Sequence, residues 1–222
     1  MSTAWDASTA TYDSKTLSTG GGTDASFYLT SDGTKLFVST NTGSIVKEYT
    51  LSTEWDISTA SFDQQKAFTT EIASGNLDGL FFKEDGTKLF LLSESLRFVY
   101  QYTLSTAWDI STATYDTKSL DLSTNSLLDA RGISFSKAGD IIYIASYFNN
   151  ASRVDEYNLS TAWDISTASY DSKNLVTSSE DGTIGGIYLN STTSKIYVVG
   201  LSNDEIYQYS IDFTPRPSWE NK

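Results

Sequence analysis

The sequence predicts an all-β chain folded as a β-propeller of four four-stranded blades, and three observations lead there. One stretch recurs, as LSTAWDISTATYDTK at 104–118, LSTEWDISTASFDQQK at 51–66, LSTAWDISTASYDSK at 159–173 and STAWDASTATYDSK from residue 2. Trp5, Trp55, Trp108 and Trp163 in these copies are 50, 53 and 55 residues apart, too long a period for helix-pair repeats and suited to a blade with long loops. An aromatic content of 14%, with Tyr 14 and Phe 11, favours strands.

The elements follow in chain order. Residues 2–17 carry the tail end of a repeat, because in the internal copies this text follows a strand that is missing here. Residues 10–15 (ATYDSK) read as a half-exposed outer strand, with Tyr12 on one face and Thr11 and Asp13 on the other. A glycine-rich loop, 18–24, leads to the first innermost strand at 25–29, with counterparts at 79–82, 132–135 and 186–189. These strands are apolar on both faces, as expected of strands stacked between sheets. They start on Ala25, Gly79, Gly132 and Gly186, small residues that let backbones converge beside an axis.

Hairpin turns come next. SDGTK at 31–35 and EDGTK at 84–88 use glycine for the positive φ such turns need, KAGD at 137–140 keeps the glycine, and STTS at 191–194 does not. Second strands follow at 36–38, 89–92, 142–145 and 196–199, then third strands at 45–51, 98–104, 154–159 and 206–211 with Tyr49, Tyr102, Tyr157 and Tyr209 in register. Pro215 and Pro217, the chain's two prolines, end the pattern. The whole reads as one domain over 1–213, with repeats at about 1–50, 51–103, 104–158 and 159–213 and a tail at 214–222. In the Trp-Asp turn, Asp-x-Ser-Thr suits an Asx-type turn, and a Trp at the same place in each hairpin is a packing anchor between units rather than four sugar sites.

Composition excludes several kinds of chemistry. With His 0 and Cys 0 there is no Ser-His-Asp triad, no Cys-His dyad, no His-built zinc site and no disulfide framework. Lys+Arg 15 against Asp+Glu 28 gives −13, unsuited to nucleic acid or an anionic membrane. No basic and apolar leader opens the sequence and no long apolar run interrupts it, so the expectation is a protein made in the cytosol without a signal peptide. No cofactor is expected. Polar loops at 202–205 and 148–150 offer oxygen atoms but lack calcium-loop spacing.

The DGTK-L-F/Y-V hairpin, followed by an x-V-x-x-Y-T-L strand, resembles the YVTN-type and related β-propeller repeats. The longer signature around Tyr102 and Trp108 resembles repeats of virion-associated and extracellular proteins of marine phages and bacteria. The resemblance covers all but the last ten or so residues. It implies a repeat-built recognition or structural module, and it transfers no catalytic residue because the matching positions are structural ones.

With strands A to D numbered outward from the axis, the A–B and C–D turns fall on one face and are monotonous. The D–A and B–C loops on the other face differ from blade to blade, as a recognition surface on a fixed scaffold does. The expected function is a non-enzymatic binding or attachment module, such as a phage virion component, contacting a glycan or a protein through that face. The third blade departs most, with Tyr147, Phe148, Asn149 and Asn150 in its B–C loop and Arg131 where other blades place Asp24, Asp78 and Gly185. Arg131, Tyr147, Phe148, Asn149, Asn150, Asp24 and Asp78 are therefore the candidate partner-binding residues. The alternative is a carboxylate-based glycoside hydrolase using Asp24, Asp78 or Asp129, with Glu180 and Asp181 in reserve. For closure, strand 9–15 is expected to pair beside 205–212 and complete the fourth blade of a monomer. The rival is an eight-bladed homodimer in which that strand completes the partner's last blade.

Overall fold

Repetition in the sequence becomes repetition of one hairpin-built unit in space. The computed structural model describes residues 11–20, 23–73, 76–125, 128–148, 151–190 and 194–211. Blade one comprises β1 (Asp24–Leu29), β2 (Lys35–Thr40), β3 (Ile45–Leu51) and β4 (Ala60–Ala67). Blade two comprises β5 (Gly79–Phe82), β6 (Lys88–Ser93), β7 (Phe98–Leu104) and β8 (Ala113–Asp121). Blade three comprises β9 (Leu128–Phe135), β10 (Ile141–Phe148), β11 (Ala151–Leu159) and β12 (Ala168–Val176), and blade four β13 (Ile184–Asn190), β14 (Lys195–Gly200) and β15 (Ile206–Ser210). Each sheet is an antiparallel meander in sequence order, and the four form a propeller. Among the described residues no helix is long and apolar enough to cross a membrane.

Burial follows the predicted strand roles. β2 and β6 are buried along almost their whole length, whereas β4 and β12 alternate between half-buried and exposed positions. The register tyrosines find a partner the sequence had hidden. Tyr49 lies opposite Phe62, Tyr102 opposite Tyr115 and Tyr157 opposite Tyr170, with ring centroids 5.7, 5.5 and 5.4 Å apart. Blades one to three thus each close the outer hairpin with one aromatic cross-strand pair.

The DGTK turn and the Trp-Asp turn are one device. Trp55, Trp108 and Trp163 have φ near +63°, and each donates its backbone N–H to the carbonyl of the turn glycine, Gly33, Gly86 and Gly139 respectively, at 2.9 to 3.1 Å. The indole covers that glycine so closely that a Cβ at Gly86 would stand 2.5 Å from the Trp108 ring. Asp56, Asp109 and Asp164 then cap the three-residue 3-10 turns that follow, accepting from the backbone N–H and the hydroxyl of Ser58, Ser111 and Ser166. The predicted Asx turn is this cap.

Seams between blades are built from the same parts. Trp108 stacks on Tyr28 and Phe37 of blade one (6.1 and 6.2 Å), and Trp163 on Phe90 of blade two (6.3 Å). A buried polar bond locks each of these two seams: Glu48 accepts from the Ile110 N–H at 3.2 Å, and Gln101 from the Ile165 N–H at 3.0 Å. At the axis, a Cβ on Gly132 would meet the Gly185 carbonyl at 2.7 Å, so glycine is what lets blades three and four converge.

The chain's two ends are arranged differently from the expectation. Residues 11–15 form no strand and no ladder with β15, so the fourth sheet has three strands among the described residues. The segment nevertheless has the shape of an outer strand: Ser14 takes the positive φ that Thr117 and Ser172 take in β8 and β12. Lys15 bridges to Asp56 at 2.7 Å, as Lys118 of β8 bridges to Asp164 of the next blade at 2.6 Å. It is held by blade one, whose core Leu17 joins. Burial, then Glu84 and Tyr188, push the Tyr28 hydroxyl up to about 12.

Candidate functional site

At the D–A and B–C ends of blades one to three, polar and charged side chains of neighbouring blades come together. β5 starts next to Asp78, whose carboxylate accepts from the Glu94 N–H at 2.8 Å. With its amide oriented to donate, Asn41 of blade one reaches Asp78 Oδ1 at 3.2 Å and the Leu77 carbonyl at 2.9 Å. Glu94, just past β6, is close enough to Asp129 of β9 for the two carboxyls to act on each other. Arg131 lies two residues on from Asp129 and binds it at 3.0 Å.

Three carboxyls and a guanidinium therefore meet where blades two and three approach the axis. Burial first, opposed by the Glu94 N–H and Arg131 and aided by Asp129, holds the Asp78 carboxyl above its ordinary value. Glu94 is raised by burial, then by Asp129 and Asp78. Among the described residues, no three carboxylates converge tightly enough to hold a metal ion.

Beside Asp78 opens a cleft of about 560 Å³ between the B–C end of blade one and the D–A loop of blade two. Its walls are Thr23, Asn41, Thr42, Ser44, Thr69 and Asn76, with Gly43 and Ala73. This lining is hydroxyls and amides without a charge. A second, smaller hollow on the opposite face, by Lys83 and Trp163, belongs to the Trp anchors.

The predicted site residues separate into three groups. Asp78 and Arg131 come together with Asp129, and Arg131 serves to neutralise an acid. Tyr147 and Phe148 are not in a loop: β10 runs to Phe148 and β11 restarts at Ala151, with Tyr147 opposite Ser152 and Phe148 opposite Ala151. The long variable loop of blade three is an extended hairpin, because its alternating sequence can continue the ladder. Asn149, Asn150 and the side chains of Phe148 and Asp24 lie outside the described residues; the Asp24 backbone pairs with Thr40 ahead of a bulge.

Of the reserves, Asp181 is buried and organises its loop, accepting from the N–H groups of Thr183, Ser202 and Asn203 at 2.8, 3.2 and 2.9 Å. Burial raises its carboxyl, but those three donors outweigh it and the net shift is downward. Glu180 accepts from Ser179 and Tyr209 through its carboxylate and from Asn203 and Tyr207 through its carbonyl. Sequence reasoning missed Glu94 and Asn41. Both lie in B–C segments on the expected face, but their reach to Asp129 and Asp78 crosses blade boundaries, which no spacing within a repeat reveals.

No protein-family model matches the sequence, and no curated protein matches it. Solved structures resemble it in fold. The Cps50 (Swd1) β-propeller domain of Myceliophteria thermophila is 18% identical, with a TM-score of 0.51 over 85% of this chain and 54% of that one. A protein of Bacteroides uniformis provisionally assigned as a 6-phosphogluconolactonase is 11% identical, with a TM-score of 0.56 over 86% of this chain and 51% of that one. A chain of a nidogen/laminin complex is 10% identical, with a TM-score of 0.56 over 84% and 60%. The chain thus spans little more than half the length of the propellers it resembles, and the shared property is the propeller fold.

Proposed function

We propose that the protein is a non-enzymatic binding module that takes a neutral, hydroxyl-rich ligand, of which a glycan is the best fit, on its D–A and B–C face. The observation that carries this reading is the cleft of about 560 Å³ lined by threonine, serine and asparagine next to the Asp78–Glu94–Asp129–Arg131 cluster. Uncharged hydroxyls and amides exchange hydrogen bonds with sugar hydroxyls. In the setting that the repeat resemblance suggests, the module serves attachment in a virion or outside a bacterial cell.

A hydrolytic reading has one observation in its favour, the raised Asp78 and Glu94 carboxyls beside Asp129. Against it, both Asp78 oxygens already accept hydrogen bonds from Asn41 and Glu94, and Asp129 is clasped by Arg131. Those contacts suit fixed acceptors rather than a proton donor and a free nucleophile. The test is an array of neutral and acidic oligosaccharides probed with the wild type, Thr42→Val and Asn76→Leu. Selective binding lost in both variants with unchanged melting supports the reading. Turnover of any glycoside that Asp78→Asn abolishes, or binding indifferent to both cleft variants, overturns it.

A further inference from the structure

Among the described residues, blade four presents an outward seam face that stays largely exposed. Tyr188 is 56%, Val199 40% and Ile206 60% exposed, whereas Tyr143, Ala145 and Val154 on the corresponding face of blade three are buried. The opposite half of a seam is equally open on blade one. Trp55 is 59% exposed and makes no ring contact among the described residues, while Trp108 and Trp163 stack on the preceding blade. β13 and β1 do not pack on each other as β1 and β5, β5 and β9, and β9 and β13 do.

The two open faces carry the code of the filled seams. Counted from the hairpin turns, Tyr188 stands where blade one has Tyr28, the residue under Trp108. Gln208 stands where blade two has Gln101, which accepts from the Ile165 N–H. Ile57 is the matching donor in blade one; neither its N–H nor the Gln208 side chain has a hydrogen-bond partner among the described residues. The N-terminal segment is the last part. It is already seated on blade one through Lys15–Asp56, shaped like an outer strand, while among the described residues the outer edge of β15 carries no strand.

We infer that a second copy of this chain completes the seam. Blade four of one copy docks on blade one of the other, Trp55 stacks on the partner's blade four, and residues 11–15 serve as the fourth strand beside β15 of the partner. A two-fold axis makes both seams equivalent and closes eight blades from two chains. Ring geometry agrees, since one chain overlays about half of larger propellers over 85 to 86% of its own length. The joined surfaces are continuous with the internal seams and reuse their residue types.

Because the chain has Cys 0, cysteines can be placed singly. By repeat position Tyr12 and Tyr209 should face each other as Tyr115 faces Tyr102. An equimolar mixture of Tyr12→Cys and Tyr209→Cys chains, oxidised or treated with a short thiol cross-linker, is expected to give a covalent pair containing one of each. Val199→Lys with Ile206→Lys, at sites already exposed in the single chain, is expected to abolish association and leave circular dichroism unchanged. Absence of the mixed pair, linkage only within a Tyr12→Cys/Tyr209→Cys chain, or association that survives the two lysines would each overturn the inference.

Discussion

Substituting Gly86 by alanine tests the joint between the hairpin turn and the Trp anchor. The added Cβ would lie 2.5 Å from the Trp108 ring, whereas carbon atoms rest at about 3.5 to 4 Å, so the indole must retreat by at least ~1 Å. Retreat loosens its stacking on Tyr28, Phe37 and Phe82, whose centroids are 6.1, 6.2 and 5.5 Å away. Aromatic pairs contribute about 0.5 to 1.5 kcal/mol each, so partial loss of three costs about 2 kcal/mol. Alanine at φ +72° adds about 1 to 2 kcal/mol of backbone strain. The expected destabilisation is about 3 to 4 kcal/mol, a fall in Tm of about 10 °C for a domain of this size. Gly33→Ala is the internal control: its Cβ meets Trp55 at 2.6 Å, but that ring can swing into solvent. In the Val199→Lys/Ile206→Lys background it should cost only the strain, about 1 to 2 kcal/mol. Urea unfolding followed by circular dichroism reads both values. Equal losses at Gly33 and Gly86, or a Gly86→Ala loss below about 1 kcal/mol, would refute the claim that the Trp-on-glycine contact holds blades together.

Gln101→Leu removes the acceptor of the Ile165 N–H, whereas Asp116, to which Gln101 donates at 2.7 Å, keeps Lys88 and Thr103; one buried N–H loses its partner, and urea titration should show about 1 to 3 kcal/mol lost, a near-neutral result being contrary to the polar lock. Glu94→Gln keeps the contact to Asp129 and removes a charge from the acid cluster. Since the Glu94 carboxyl is raised on folding by burial and its acidic neighbours, the folded state holds its proton more tightly than the unfolded state does. Stability withheld at neutral pH is therefore recovered as pH falls through the carboxylate range. The variant should melt higher than the wild type at pH 7, with the advantage vanishing on acidification, and a variant that melts lower at pH 7 would contradict the cluster's repulsion.

The sequence was most informative where one repeat explains itself. Strand positions, the glycine turns and the Asx cap at Asp56, Asp109 and Asp164 were all legible, because each depends on residues within a few positions. The register tyrosines were visible as a pattern, but their pairing with Phe62, Tyr115 and Tyr170 needed the bulged register of the third and fourth strands. The site was harder. Asp78 and Arg131 were chosen as departures from the repeat, yet Asn41 and Glu94 look like ordinary loop polar residues until neighbouring blades bring them to Asp78 and Asp129. Tyr147 and Phe148 read as loop residues from the length of the segment, whereas they lie at the end of β10, paired with β11. For closure, repeat matching shows which strand the fourth blade lacks, and among the described residues 11–15 do not pair with β15.

Hydrogen exchange at three equivalent amides measures the seams directly. The Ile110 and Ile165 N–H groups are bonded across filled seams to Glu48 and Gln101, and their protection should be high at every protein concentration. The Ile57 N–H should exchange freely in dilute protein and become protected, together with the Gln208 side-chain environment, only as concentration drives two chains together. Protection of Ile57 that is already complete at the lowest concentration, or that never appears at the highest, would contradict the account.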